Sequence, residues 1–255
     1  GRYNIMWRPG GGNYNDLDSR EAVEKQIQTG RQCAGLPEYV DEICYELESC
    51  PYSPLKKSPV STANEGILSI CSGCSGVAWN VMPKRLSDAE NIFNAIRSKT
   101  PFMELLSEKF KNGKNLGVYD GWHPQAQAAV PDFFSDYGGR YAEGMDEIDL
   151  LGIPRSYNLH KASAFVLQGR QPLVFSDEEI RYILSRGVYM DADAADILCK
   201  MGFGKYIGFK KGDETVDDLS EVCLNHPLNK GIEGESRTCF SVFAKGKSYA
   251  LIPEK

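Results

Sequence analysis

The stretch Glu42-Ile43-Cys44-Tyr45-Glu46-Leu47-Glu48-Ser49-Cys50-Pro51 constrains the fold more than any other part of this chain. Side chains alternate faces along a strand. Read that way, Ile43, Tyr45 and Leu47 share one face, and Cys44, Glu46 and Glu48 share the other. The apolar face is suited to packing under helices. The opposite face carries two carboxylates, the second at the C-terminal end of the strand, where Ser49-Cys50-Pro51 starts a turn. In a parallel α/β barrel that end of a strand is where the chemistry sits.

The flanking sequence alternates strand and helix signals. Gly1 to Trp7 reads as a strand that ends at Arg8-Pro9 and the glycine run Gly10-Gly11-Gly12. That run lacks the spacing and the following Lys-Ser/Thr of a phosphate loop. Asp18 or Ser19 caps a helix over 19–34, and Ser61 or Thr62 opens another to Gly73. A strand follows over 76–82, stopped by Pro83. Asp88 caps a helix to Ser98, and Pro101 opens a separate one to Lys111, with Phe102, Leu105, Leu106 and Phe110 at helical spacing. Leu116 to Tyr119 is extended and leads into the aromatic loop Tyr119-Asp120-Gly121-Trp122-His123-Pro124; helices are expected near 124–135 and 139–151.

The texture changes at Gly152 to Tyr157, and a boundary is expected between 157 and 158. Beyond it come a strand over 162–167, a helix capped by Ser176 or Asp177, a strand at 188–190 and a helix opened by Asp191. Glu178 and Glu179 suit the first turn of their helix, where the dipole favours acids. Strand, helix, strand, helix is a doubly wound layout. The tail, 205–255, reads as short strands and loops. The expected fold class is therefore α/β: the last strands of a partial (β/α)8 barrel over 1–157, then a Rossmann-like α/β domain, whole or incomplete, over 158–255. Three strands are three-eighths of a barrel that normally takes about 250 residues.

Composition narrows the partners. A net charge of -6 with 29 scattered basic residues argues against nucleic acid or an anionic membrane. Pairs such as Lys56-Lys57 read as solvated surface. No signal peptide and no membrane-length apolar run is present. The start already reads as strand, so the chain is expected to open mid-domain, and cytoplasm and periplasm both stay open. Among eight cysteines, Cys71-x-x-Cys74 has the spacing of half a zinc site or a redox pair. A second such pair is lacking, and the three histidines, His123, His160 and His226, are isolated, so packing as small hydrophobes is the expectation. No metal and no organic cofactor is expected.

A carboxylate at the position of Glu48 can serve as nucleophile or acid/base in splitting a glycosidic bond. Glu46, one pleat deeper on the same face, is the alternative. Arg8 at the end of its strand either binds a sugar hydroxyl, holds a carboxylate ionised, or makes a structural ion pair. Trp79 offers an apolar platform for a sugar ring and Asn80 offers hydrogen bonds, but neighbours on a strand cannot both face inward. Trp79 shares its face with Val77 and Val81, which also suits core packing. Trp122 and His123 either rim a sugar site or pack their own loop.

Several stretches carry a resemblance: Met6 to Gly12, Tyr45 to Pro51 with Leu55-Lys56-Lys57-Ser58, Gly76 to Pro83, and Ile148 to Tyr157. Together they resemble the C-terminal part of a clan-A glycoside hydrolase barrel, of the kind in family 42-like β-galactosidases and their Bacteroides-type relatives. Phe175 to Asp191 is similar to the flavodoxin-like domain that follows the barrel and contributes to trimerisation. In that family the nucleophile ends the seventh strand and is followed three residues on by proline, a pattern that Glu48-Ser49-Cys50-Pro51 matches. The resemblance implies a retaining hydrolase of β-linked oligo- or polysaccharides with Glu48 as nucleophile. It implies an acid/base Glu on the fourth strand, upstream of Gly1, so that this chain alone is expected to be inactive. The implied partner is a second copy or a missing N-terminal half. A non-catalytic carbohydrate-binding or oligomerisation module is the other reading. A class I glutamine amidotransferase, suggested by the second domain, lacks its glycine-flanked nucleophile Cys.

Overall fold

The structure is a computed structural model, and it describes residues 4–9, 15–16, 19–49, 56–81, 85–112, 116–123, 152–215, 220–238 and 248–253. The helices expected at 124–135 and 139–151, the glycine run, and Cys50-Pro51 lie outside the described residues. The chain divides into two compact units: Gly1–Leu167 with Val174–Tyr189, and Gln168–Leu173 with Met190–Lys255.

The first unit begins with a parallel three-stranded sheet of β1 (Met6–Trp7), β2 (Glu42–Glu48) and β3 (Gly76–Asn80), in that order. Helices α1 (Ser19–Gly35) and α2 (Pro59–Cys71) are the crossovers. Strand β2 covers the residues that the alternation requires, and Tyr45 and Leu47 on its apolar face are buried at 1% and 0%. Cys74 completes their cluster, with Cys33, Ile43, Val77 and Trp79 packed around it.

Helix α2 starts earlier than Ser61. Ser58 is its N-cap, accepting from the Ser61 amide at 3.1 Å, and Pro59 fills the first turn, where no N–H is needed. Asp16 reinforces this end by accepting from the Ser58 amide at 3.0 Å and the Ser61 hydroxyl at 2.9 Å. Helix α3 (Leu86–Asn112) is one element rather than two, with Pro101 inside it. Proline removes one ladder donor, and the flanking residues still continue the helix. The Thr100 hydroxyl donates to the Ile96 carbonyl at 3.0 Å. The side of α3 that is buried holds Ile92 and Met103, while Phe102, Leu105 and Phe110 are exposed. The spacing of those three marks a helix face, but that face is not the one packed on α2.

A second sheet, in the same unit up to Tyr189, contains β4 (Val118–Tyr119), β5 (Arg155–Ser156), β6 (Ala164–Leu167) and β7 (Gly187–Met190), in the order β5-β4-β6-β7. Strand β4 pairs in parallel with both β5 and β6. The boundary expected between 157 and 158 therefore falls inside a sheet, because β5 and β6 flank one strand. Helix α4 (Asp177–Leu184) covers this sheet with Ile180 and Ile183, both fully buried. Ser176 forms a capping box with Glu179.

In the second unit, Asp191 caps α5 (Ala192–Lys200) by accepting from the Ala194 amide at 2.7 Å, as expected of a cap. Ala194, Ala195, Leu198 and Phe203 are buried there. The tail forms two antiparallel pairs: β8 (Phe209–Thr215) with β11 (Ser248–Pro253), and β9 (Ser220–Val222) with β10 (Ser236–Thr238). Among the described residues no helix is long and apolar enough to cross a membrane.

Candidate active site at the end of the central parallel strand

In-register parallel pairing sets Glu48 beside Asn80, and Leu47 beside Trp79. The pleat then separates the two candidates on β3. Asn80 shares the face of Glu48, and its side-chain amide donates to Glu48 Oε1 at 3.2 Å. Trp79 lies on the opposite face, against α2. A Cβ on Gly66 of α2 would stand 2.4 Å from the Trp79 ring, so glycine is what lets the indole lie on the helix. Trp79 is thus part of the packing behind the sheet, and the sugar-platform reading does not suit its orientation.

The other oxygen, Glu48 Oε2, is buried without a hydrogen-bond partner among the described residues, and so is Ser49 Oγ. Buried polar atoms are nearly always satisfied, and an exception calls for an explanation. One pleat deeper, Glu46 Oε1 lies 3.3 Å from Arg8 Nη2. Arg8 is 55% exposed and Glu46 30%, so this is a solvated pair that orients the two side chains more than it stabilises the fold.

Beneath the strand lies a polar network that the sequence did not announce. Lys57 Nζ donates to the Glu48 carbonyl at 2.8 Å and forms an ion pair with Glu65 Oε2. The Tyr45 hydroxyl donates to Glu65 Oε1 at 2.5 Å. Lys57 and Glu65 are both buried, in contrast to the solvated surface expected of Lys56-Lys57. The available signal was Glu65 itself. It falls on the same helical stripe as Thr62, Gly66 and Ser69, which faces inward, and a charge on a buried stripe requires a buried partner. The effect is to anchor the last carbonyl of β2, which fixes where the Glu48 side chain departs.

Trp122 is positioned elsewhere. Its ring lies 3.8 Å from where a Cβ on Gly35 would be, at the end of α1 that leads into the start of β2. Glu48 ends that strand, about 20 Å further along at ~3.3 Å per residue. His123 faces Glu179 at 3.6 Å and the Phe175 ring at 5.4 Å. Partial burial pulls the Glu179 carboxyl up, but the hydrogen bonds from Ser176 and the interactions with His123 together hold it below its ordinary value. The His123 side chain thus packs at the start of α4, and the Tyr119 hydroxyl donates to the Trp122 carbonyl.

Asp120 also serves that region. Its Oδ2 accepts from Arg31 at 2.6 Å and from Arg155 at 2.8 Å, all three being buried, which ties α1 to β4 and β5. A cavity of about 350 Å³ opens nearby, lined by Val23, Ile27, Cys71, Phe110, Ile153 and Tyr157, and it includes none of the predicted site residues. Among the described residues no three His, Cys, Asp or Glu side chains gather as a metal ion would require.

The chain matches no family model, no curated protein and no solved structure.

Proposed function

We propose that this chain is part of a retaining glycoside hydrolase that acts on β-linked glycans, β-galactosides among them, with Glu48 as the nucleophile. The observation that carries this reading is the Glu48 carboxylate. It sits at the C-terminal end of the central strand of a parallel sheet, with one oxygen held by Asn80 and the other buried and unpartnered among the described residues. In the proposed mechanism that free oxygen attacks the anomeric carbon. A second carboxyl group, from outside the described residues, protonates the leaving oxygen and later activates water. Retaining chemistry needs the two carboxyls about 5–5.5 Å apart. Glu46 is a poor candidate for that role, because it approaches from the same strand as Glu48 and is engaged by Arg8. It remains the fallback nucleophile. Neither step requires a metal or organic cofactor.

The strand order supports the fold side of the proposal. Strands β1, β2 and β3 are consecutive and parallel, as the last three strands of a (β/α)8 barrel would be. The second sheet, taken in chain order, runs second-first-third-fourth, which is the flavodoxin-like order. The engagement of Glu46 by Arg8 favours a second reading, a non-catalytic carbohydrate-binding module that uses the same side chains.

The test is hydrolysis of a panel of nitrophenyl glycosides by the full-length native protein and its Glu48→Gln variant. The expected outcome is activity on a β-glycoside that falls by about 10⁴-fold or more in the variant, as for loss of a nucleophile. Equal activity in both proteins removes Glu48 from the mechanism. Oligosaccharide binding without hydrolysis supports the binding module.

A further inference from the structure

Two thiols from separate elements meet behind the central sheet. Cys33 lies in the last turn of α1, and Cys74 lies just beyond the C-cap of α2. Their sulfurs are 3.8 Å apart. The approach depends on Gly73, whose φ of 108° is a left-handed turn that glycine adopts without strain. A Cβ at Gly73 would also stand 3.3 Å from Cys33 Cβ, so a larger residue would push the two segments apart.

The two cysteines differ in how far the residue is buried. Cys74 is 5% exposed and packs with Tyr45 and Leu47, whereas Cys33 is half-buried. The hydrogen bond shared with Cys74 lowers the Cys33 thiol from its ordinary value, against the upward pull of burial. The same bond, together with burial, pushes the Cys74 thiol up. Two thiols 3.8 Å apart, one of them on a less buried residue, form the arrangement in which oxidation is captured as a disulfide. The Cys71-x-x-Cys74 spacing pointed to a different pair. Cys71 instead lines the cavity beside Ile27 and Phe110, and its thiol is pushed up by burial.

We propose that Cys33 and Cys74 form a two-electron oxidation site that hydrogen peroxide converts to an intramolecular disulfide. The Cys33 thiolate attacks one peroxide oxygen. The S–O bond forms as the O–O bond breaks, and the departing hydroxide takes a proton to become water. The Cys74 sulfur then attacks the Cys33 sulfenic acid. The S–S bond forms as the S–O bond breaks, and the hydroxyl leaves with the Cys74 proton as a second water. Two thiols are oxidised together by two electrons, and one peroxide is reduced to two waters. The sulfurs close from 3.8 Å to about 2.05 Å, a movement within reach of a helix end and a glycine turn. The product staples the end of α1 to the turn between α2 and β3.

The experiment is peroxide treatment of the full reduced chain, followed by intact mass and peptide mapping without reductant. The expected result is a loss of about 2 Da, a Cys33–Cys74 linked peptide, and reversal by dithiothreitol. Cys71→Ser should keep the link, and Cys33→Ser should lose it. The linked peptide is read in the parent chain, so a poorly folding variant does not blur the outcome. The proposal is overturned if Cys74 links to Cys71 instead. It is equally overturned if the thiols gain oxygen, about 16 Da each, without any Cys33–Cys74 link.

Discussion

Among the described residues, the Glu48 carboxylate and its backbone are held at two points. Asn80 holds one oxygen, and the backbone beneath is pinned by the buried Lys57, whose charge is balanced by Glu65. Removing one member of a buried ion pair leaves the other charge uncompensated, which costs more than the pair contributes. Lys57→Met is therefore expected to destabilise the chain by about 3–5 kcal/mol, read from urea unfolding. Pairing it with Glu65→Gln should recover most of the loss, since the stranded charge is then gone. A single-variant cost below about 1 kcal/mol would be that of a surface pair, and it would place Lys57 in water.

At the scale of the element, the helix starts are the best-specified features. Helix α2 relies on Ser58 as cap and on Asp16, which reaches in from before α1. The hydrogen bond from the Ser58 amide above all, with help from the Ser61 hydroxyl, lowers the Asp16 carboxyl below its ordinary value, against the upward pull of burial. A carboxyl lowered in the folded state stabilises at pH above its unfolded value, near ~3.9. That contribution is lost as pH falls through the folded value. The Tm difference between the parent and Asp16→Asn is thus expected to be full at neutral pH and to close in acid below the unfolded value. Thermal melts across that range check it, and a difference that is the same at both ends refutes the ionised clasp. The long α3 shows the opposite case, where local signals mislead. Pro101 reads as a helix start and is instead carried inside a longer helix, at the loss of one backbone donor.

For the whole molecule, the decisive feature is the edge of the first sheet. Among the described residues, β1 is a two-residue edge strand, and Ile5, Met6 and Trp7 there are 41%, 57% and 45% exposed. An unpaired edge with adjoining apolar side chains invites pairing. We expect the purified chain to self-associate, eluting in size-exclusion chromatography with light scattering at a mass of at least two copies of 28.3 kDa. A monodisperse, cooperatively melting monomer would show that this edge is tolerated in water.

Period-two alternation at 42–48, the proline and glycine stops, and the caps at Ser176 and Asp191 act within a few residues of chain, so the α/β class and most element positions could be read directly. The face of Glu48 was legible for the same reason. Which β3 residue joins it depended on register between strands, and that brought in Asn80 and turned Trp79 toward Gly66. The partners of Lys57, Asp120 and Cys33 depended on elements far apart in sequence: Glu65 across a crossover, Arg31 and Arg155 from a helix and a strand, Cys74 beyond a glycine turn. Alternation and capping are encoded by neighbours, but the pairing of charges and sulfurs is decided by which surfaces the packed sheets and helices bring together.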